Sequence, residues 1–334
     1  MTPPPRTSQR RAAIVYNPVK IDRATLQPVV TAAEKSAGWG KTLWLETTEE
    51  EPGIELARQA VAEGVEVVLA AGGDGTVRAV AEGLRDAKVA LALLPQGTGN
   101  LLARNLSLPL SDLEQSVDAA FTGQNRDIDL GLVELTRPDG TTESHAFVVM
   151  AGIGLDAKMI ANTNPELKKR VGWLAYVDAI ARSLRDTEQL RINYRSDGGA
   201  VKTMRAHTVL VGNCGTLPGN ILLLPEAEID DGVFDIVTLR PEGFFGWAQI
   251  WIKIVWENGV LRRSSVGRKL AGFGREVRTL RYLKASTFEV KLDRAEEFEL
   301  DGDEFGTVVG FRCEIDAGSL TVRVPADPSA PSSD

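Results

Sequence analysis

Two glycine-rich turns are candidates for phosphate chemistry, because each follows an apolar run typical of a buried strand and precedes a helical pattern. The first is Gly72-Gly73-Asp74-Gly75-Thr76 and the second is Gly97-Thr98-Gly99-Asn100. Glycine lets the backbone approach a ligand closely, and a helix N-terminus presents free N–H groups to an anion. Turns that follow successive parallel strands meet at the carboxyl edge of the sheet. The sequence therefore predicts a nucleotide phosphate lying across both turns.

Other interpretations of these turns stay open. The first is also compatible with a plain strand-to-helix turn in which Asp74 or Thr76 caps the helix, and no Walker A motif occurs in the chain. The second fits the dinucleotide pattern G-x-G-x-x-A, and so does Gly152–Ala157. Neither opens the first strand–helix–strand unit, where a dinucleotide fingerprint belongs, so a nicotinamide dehydrogenase is disfavoured.

The elements that must position these turns follow from periodicity. Apolar runs at 12–17, 41–46, 65–71 and 89–95 alternate with helical patterns at 22–37, 52–63, 76–84 and 111–121. This alternation predicts a parallel sheet covered by helices on both faces. From residue 128 the pattern changes to a hairpin, 127–135 and 144–152 around Pro138-Asp139-Gly140. A helical stretch from Pro165 to Arg185 follows, and then several alternating strands that predict a β-sandwich.

These patterns divide the chain into two domains. An α/β domain is expected over 10–127 and a β-sandwich over 128–311, with 312–324 the candidate segment for returning to the first domain. Residues 1–9 and 325–334 are expected to be disordered.

Composition limits the class of protein. The 334 residues include 46 acidic and 38 basic ones, a net charge of −8, which argues against wholesale nucleic-acid binding. Cys214 and Cys313 lack metal-ligand spacing and are expected to be buried thiols in a reducing cytosol. No apolar run is long enough to span a membrane.

One segment has the composition of a membrane-contacting surface. Residues 244–256 are dense in Phe and Trp, and residues 262–284 hold eight basic residues against the single acidic Glu276. Aromatic residues beside Lys and Arg favour an anionic lipid surface. The alternative is a core helix followed by a solvated strand pair.

Several motifs together resemble one family, the diacylglycerol kinase catalytic-domain family, which includes bacterial lipid kinases and the sphingosine and ceramide kinases. They are Asn17-Pro18, GGDGT at 72–76, PQGTGN at 95–100, AGIGLDA at 151–157, LKKRVGWLAYV at 167–177, LLLPEAEIDDGVFDIV at 222–237 and ELDGD at 299–303. The resemblance covers nearly the whole chain. It implies an α/β nucleotide-binding domain, similar to that of NAD kinase and phosphofructokinase, and a C-terminal β-sandwich. It also implies transfer of the ATP γ-phosphoryl group to a lipid hydroxyl with Mg²⁺.

The resemblance assigns roles to individual residues. ATP is expected on Asn17 and on the two glycine turns, including Gly97, Thr98 and Asn100, with Asp74 near the phosphates and Mg²⁺. Asp301 is expected to be the general base, although Asp-Gly by itself favours a hairpin turn. Asp303 is a further expected catalytic residue; it stands where the family usually has Glu and keeps the charge with one methylene fewer.

The same resemblance points to a second cation. Asp230-Asp231-Gly232 matches a region that holds a structural Mg²⁺ in some members, with Glu226 or Glu228 as a further ligand. A solvated turn between strands is the alternative.

Two positions depart from the family pattern. Leu101 occupies a position that is often acidic in diacylglycerol-specific bacterial members, and Val19-Lys20-Ile21-Asp22 replaces the usual small residues and Gly after Asn-Pro. Both departures concern the acceptor more than the kinase assignment.

The sequence thus predicts an ATP- and Mg²⁺-dependent lipid kinase at the cytoplasmic face of the inner membrane, with diacylglycerol as acceptor. Its expected partners are the lipid substrate and an anionic membrane surface, with no nucleic acid, and a homodimer is kept open. The alternatives are an NAD kinase-like enzyme for a small soluble acceptor and a lipid-binding pseudokinase that holds nucleotide without transfer.

Overall fold

The structure is a computed structural model that describes residues 9–154, 189–217, 221–240 and 280–326. The chain divides into two compact units, Met1–Ile128 with Gly318–Asp334, and Asp129–Ala317.

Strands and helices alternate in the first unit. They are Ala12–Tyr16 (β1), Arg23–Ala37 (α1), Leu43–Glu46 (β2), Ile54–Ala62 (α2), Val67–Gly72 (β3), Asp74–Leu84 (α3), Ala90–Pro95 (β4), Leu101–Asn105 (α4) and Leu113–Thr122 (α5).

The rest of the described chain is built of strands. They are Gln124–Thr136 (β5), Thr142–Phe147 (β6), Met150–Ile153 (β7), Leu190–Ser196 (β8), Lys202–Ala206 (β9), Thr208–Gly212 (β10), Thr216–Leu217 (β11), Ile221–Leu222 (β12), Phe234–Leu239 (β13), Leu280–Ala285 (β14), Thr287–Leu300 (β15) and Asp303–Val324 (β16).

The first unit contains a parallel sheet in the order β4-β3-β1-β2. The end of β16, which belongs to this unit, also pairs in parallel with β4. Every residue of β1 and β3 is buried, as expected for strands that helices cover on both faces. This topology carries β1, β3 and β4 to a common carboxyl edge.

The second unit is antiparallel, with β14-β13-β10-β7-β15 as neighbours. Strand β15 pairs with β7 through residues 298–300 and with β8 through residues 288–292. A core dominated by five fully buried phenylalanines fills this unit, Phe147, Phe234, Phe288, Phe298 and Phe311. The predicted fold class, a parallel α/β region followed by a β-sandwich, is confirmed.

Two predicted strands differ from the observed ones. Residues 144–152 form two strands, β6 and β7, because the amides of Val148 and Val149 bind a side chain instead of a neighbouring strand. Among the alternating runs predicted for the sandwich, 287–292 and the 296–300 part of 296–303 join into β15, which continues through register shifts between Lys291 and Glu296 and between Glu297 and Glu299.

Both cysteines are buried and free, as predicted. The helical stretch Pro165–Arg185, the aromatic segment 244–256 and most of the basic segment 262–284 lie outside the described residues, as do 1–8 and 327–334. No helix within the described ranges has the length and apolar character needed to cross a lipid bilayer.

Candidate functional site

The first glycine turn connects β3 to α3. Gly73 is the N-cap of α3 and has an extended conformation. As a glycine, it has no side chain that could accept a hydrogen bond from the first amides of the helix. The first amides of an eleven-residue helix are therefore not capped by their own N-cap residue, and a helix start of this kind favours an anion. Asp74 lies in the first turn of the helix, but its carboxylate accepts hydrogen bonds from the amides of Asn100 and Leu101 at the second glycine turn.

The second glycine turn, between β4 and α4, is closed by Asn100. Its Oδ1 accepts a hydrogen bond from the Gly97 amide and its Nδ2 donates one to the Gly97 carbonyl, both at 2.9 Å. Asn100 itself has a left-handed backbone with φ of 48°, which asparagine adopts more readily than most residues. The carboxamide that the resemblance assigns to ATP thus shapes the turn.

The two turns touch each other. Asp74 Oδ2 accepts a hydrogen bond from the Asn100 amide at 2.9 Å, and Asp74 Oδ1 accepts one from the Leu101 amide at 2.6 Å. A Cβ atom added to Gly97 would lie 2.8 Å from the Cα atom of Gly73. The pair of turns is therefore one rigid feature, held together by a carboxylate and by the absence of a side chain at Gly97.

Asn17 lies at the same edge, after β1. Its amide donates to the Ala71 carbonyl at 2.9 Å, and its Oδ1 accepts from the Val19 amide at 2.9 Å. Because β1 and β3 are neighbours, the structure brings Asn17 and both glycine turns to one edge of the sheet, as the parallel topology predicts.

Leu101 occupies the position that is often acidic in diacylglycerol-specific bacterial members, and it is only 4% exposed. Its amide is one of the two that Asp74 binds. Arg104, one turn further along α4, donates from Nε to the Gly99 carbonyl at 2.6 Å.

In the second unit, Asp301 occupies a tight hairpin between β15 and β16. Leu300 pairs with Asp303, and Asp301 and Gly302 have φ of 50° and 91°. The Asp301 carboxylate is buried and accepts hydrogen bonds from the amides of Val148, Val149 and Met150 at 2.8–2.9 Å. The residue is thus both a turn residue, as its Asp-Gly sequence predicts, and a carboxylate with a fixed orientation. Asp303 is exposed at the start of β16.

Asn213 holds the opposite side of the 148–150 segment. Its Nδ2 donates to the carbonyls of Val148, at 3.2 Å, and Asp129, at 2.9 Å, and its amide donates to the Val149 carbonyl at 2.8 Å. Asn213 is fully buried. Sequence reasoning missed this residue, and the only available signal was an amide side chain directly after the apolar strand β10.

Arg137 was also missed. Its guanidinium donates to the carbonyls of Phe305, at 2.6 Å, and Thr307, at 3.1 Å, and to Glu143 at 2.6 Å. These contacts fix β16 just after the Asp301 hairpin, where the register with β15 shifts.

The predicted metal ligands do not converge. Within the described ranges, no group of three or more His, Cys, Asp or Glu side chains is placed to hold a metal ion, so Glu226, Asp230 and Asp231 form no such set. The cation beside them is Lys284, whose Nζ lies 3.4 Å from Asp231 Oδ2 and 3.1 Å from Asp235 Oδ2. It also donates to the Glu226 carbonyl at 3.0 Å.

Burial and the neighbouring charges together shift the pKa values of Asp235 and Lys284. Burial raises the pKa of Asp235, against the hydrogen bond and the charge of Lys284. Burial lowers the pKa of Lys284, but its hydrogen bonds and the nearby carboxylates outweigh that and raise it. Lys284 is one of the eight basic residues of the predicted membrane-contacting segment, but in the structure it pairs with Asp231 and Asp235.

Comparisons with known proteins agree with the observed fold. A family model described as "Diacylglycerol kinase catalytic domain" matches residues 11–133, and one described as "YegS C-terminal NAD kinase beta sandwich-like domain" matches residues 148–246. A Bacillus anthracis protein whose crystal structure is described as that of "a putative diacylglycerol kinase" has a TM-score of 0.70 at 21% identity. It covers 99% of this chain and 100% of its own, and it supports the fold.

Two curated relatives span most of the chain. The "Diacylglycerol kinase" of Bacillus subtilis (strain 168) is 27% identical over 309 residues, 90% of this chain and 92% of the relative. The "Probable lipid kinase YegS-like" of Pseudomonas aeruginosa (strain UCBPP-PA14) is 30% identical over 303 residues, 88% of each. With this identity and coverage, and with both family models matched in order, the chain belongs to the diacylglycerol kinase catalytic-domain family of lipid kinases.

Proposed function

We propose that the protein transfers the γ-phosphoryl group of ATP to the hydroxyl group of diacylglycerol, giving phosphatidic acid. The observation that carries the proposal is the locked pair of glycine turns at the carboxyl edge of the first unit's sheet. Family membership adds the lipid class of acceptor, and the Bacillus subtilis relative's name specifies diacylglycerol.

ATP would bind this edge mainly through backbone groups. The start of α3 offers amides that its N-cap residue does not satisfy, and such amides bind phosphate oxygens well. Thr98, which is exposed in the second turn, would add a hydroxyl. Asn100 and Asp74 contribute by holding the turn backbone in place.

Mg²⁺ would accompany the ATP phosphates. Magnesium in kinases is usually held by one or two carboxylates, water and the phosphates themselves, without a dedicated protein cage. Asp74 would supply the carboxylate from the glycine turns, through oxygens that also accept the amides of Asn100 and Leu101. When bound, the ion neutralises charge that develops on the transferred group.

Asp301 is proposed to accept the proton of the acceptor hydroxyl. The hydroxyl oxygen forms a bond to the γ-phosphorus, the bond from that phosphorus to the β–γ bridging oxygen breaks, and ADP leaves while the proton passes to the carboxylate. Hydrogen bonds from three backbone amides fix the orientation of the Asp301 carboxylate, and a general base needs a fixed position toward the proton it accepts.

A water-insoluble acceptor places the enzyme at a membrane surface. We propose peripheral contact with anionic lipid at the cytoplasmic face, for which the composition of 244–256 and 262–281 is the support.

The test is transfer of radiolabelled phosphate from ATP, with Mg²⁺, to diacylglycerol, monoacylglycerol, sphingosine, ceramide and NAD, with chromatographic separation of products. Label in phosphatidic acid is the expected outcome. Label on NAD alone would move the protein to small-molecule kinases. Binding of ATP without any transfer would favour a pseudokinase.

Asp301→Asn is the variant that tests the base. Its turnover is expected to fall by about 10²–10⁴-fold, with ATP affinity unchanged. Asp197→Asn is a matched control, because Asp197 also has a positive φ of 47° and accepts amide hydrogen bonds, from Ser286 and Thr287. Equal activity of the two variants would rule out the base role.

A further inference from the structure

A cavity of about 640 Å³ lies beside the edge strand β2 of the first unit. Much of its lining comes from residues that directly precede β1 and β2, which mark the amino edge of the parallel sheet, whereas the glycine turns follow the carboxyl ends of β3 and β4. Its lining includes Arg11, Arg23, Gly40, Lys41, Thr42 and Trp44. None of these residues has a role in the proposed transfer.

The lining is positively charged and contains no carboxylate. Within the described ranges, Arg11, Arg23 and Lys41 form no ion pair with an acidic residue. The neighbouring Arg10 differs, because it pairs with Glu66 at 2.8 Å. Three unpaired cations around one cavity are notable in a chain whose acidic residues outnumber its basic ones.

Arg23 is held in place at the cavity. Its guanidinium carbon lies 4.9 Å from the centroid of the Trp44 ring, and its Nε donates to Gln27 Oε1 at 3.3 Å. Because the guanidinium lies over the Trp44 ring, its terminal N–H groups remain at the edge of the guanidinium plane. A pair of such N–H groups can bind two oxygens of a phosphate or a carboxylate.

Thr42 holds the backbone beside Lys41. The residue is 3% exposed, and its amide donates to Glu34 Oε1 at 2.7 Å, which fixes the backbone between Lys41 and β2.

We infer that this cavity is a binding site for a phosphate group. The two guanidinium groups and the ammonium that line it carry the positive charge and the N–H donors that bind phosphate oxygens. The phosphate can come from the headgroup of an anionic phospholipid or from a free phosphorylated compound. The inference does not depend on the transfer reaction or on the roles of Asp74 and Asp301.

The test compares a triple variant, Arg11→Gln/Arg23→Gln/Lys41→Gln, with a charge-matched control, Lys35→Gln/Lys88→Gln/Lys202→Gln. The control residues are exposed lysines outside the cavity. Thermal melting verifies that both variants fold, and Lys41→Gln alone serves if the triple variant does not. Soluble binding is measured with inorganic phosphate and glycerol 3-phosphate through tryptophan fluorescence, with Trp44→Phe identifying the reporter ring.

The second arm uses sedimentation with vesicles of equimolar phosphatidylcholine and phosphatidylglycerol, against pure phosphatidylcholine. Loss of about tenfold in affinity in the triple variant, and not in the control, is the expected result. Loss in the vesicle arm identifies a lipid headgroup as the source, and loss confined to the soluble arm identifies a free phosphate compound. Equal binding by both variants, or no saturable binding by the wild-type protein in either arm, would overturn the inference.

Discussion

The carboxylate of Asp74 binds the backbone amide of Leu101 at 2.6 Å, so a side chain from the first glycine turn caps the helix that follows the second. The same carboxylate binds the Asn100 amide. A capping residue normally belongs to its own helix, whereas this one joins two loops that are far apart in sequence. The position of one phosphate-binding turn is thereby tied to that of the other.

Asp74→Ala is expected to lower nucleotide affinity as well as stability. It leaves the amides of Asn100 and Leu101 without their acceptor, and the loss of a helix cap costs about 1–2 kcal/mol. Chemical denaturation and equilibrium binding of ATP measure the two effects. Asp112→Ala is the matched control, since Asp112 caps α5 through the Gln115 amide at 2.9 Å. If both variants keep full ATP affinity, the tie between the turns has no part in binding.

Gly97→Ala and Gly73→Ala are expected to behave differently. A Cβ atom at Gly97 would lie 2.8 Å from the Gly73 backbone, whereas one at Gly73 meets only the Gly97 Cα atom at 3.7 Å, an ordinary contact. Gly97→Ala must therefore force the turns apart and destabilise the unit. Gly73→Ala should fold normally, and it should weaken ATP binding if phosphate approaches that backbone closely. Melting temperature and ATP titration of both proteins decide this, and a stable Gly97→Ala with wild-type affinity would contradict it.

Much of the carboxyl edge of the first unit's sheet could be predicted from the sequence, because parallel topology alone brings Asn17 and the two glycine turns together. The function of each side chain could not. The partner of Asp74 depends on the left-handed backbone at Asn100, which is a property of the folded loop. The carboxamide of Asn100 therefore shapes the turn, although its motif suggested a ligand.

Prediction was weaker in the second unit because the decisive contacts are long-range. The hairpin at Asp301 follows from Asp-Gly, but its acceptor geometry requires the Val148 amide, 153 residues away. Lys284 shows the same limit for charge. Counting residues placed it on a basic surface, while the fold places it against Asp231 and Asp235.

Asn213 is predicted to be a positioning residue for Asp301. Asn213→Leu removes the donors to the Val148 and Asp129 carbonyls, at a cost of about 1–3 kcal/mol for each buried group left unsatisfied. Turnover should fall while the KM for ATP is unchanged. Asn193→Leu is the control, because Asn193 is exposed on β8.

Asn213→Asp separates positioning from simple destabilisation. The protonated acid can donate a hydrogen bond and the carboxylate cannot, so the activity of this variant should recover at low pH relative to wild type. Parallel pH–rate profiles measure the recovery. Profiles of identical shape would show that Asn213 serves only stability.

Lys284→Met is expected to destabilise the second unit by on the order of 1–2 kcal/mol, because it leaves the buried Asp235 carboxylate without its cation. This is less than the cost of about 3–5 kcal/mol that is usual when one partner of a fully buried ion pair is removed, because the Lys284 side chain is 41% exposed. Denaturation is compared with Lys202→Met, an exposed lysine. If a metal ion holds this cluster instead, EDTA will lower the melting temperature of the wild-type protein, and Lys284→Met will have little effect.

His207 is predicted to make stability fall in mild acid. Burial lowers the pKa of His207 below its ordinary value of 6.5, with a smaller opposing effect from Glu296. As the pH falls through that ordinary value, the unfolded chain binds a proton that the folded protein does not, so the free energy of unfolding decreases. The decrease starts near pH 6.5 and cannot exceed about 1.4 kcal/mol per pH unit for one group. Denaturation at a series of pH values should show this slope in the wild-type protein and a smaller one in His207→Gln. Equal slopes would mean that His207 binds its proton equally well in both states, and that the burial of His207 between β9 and β10 does not control its titration.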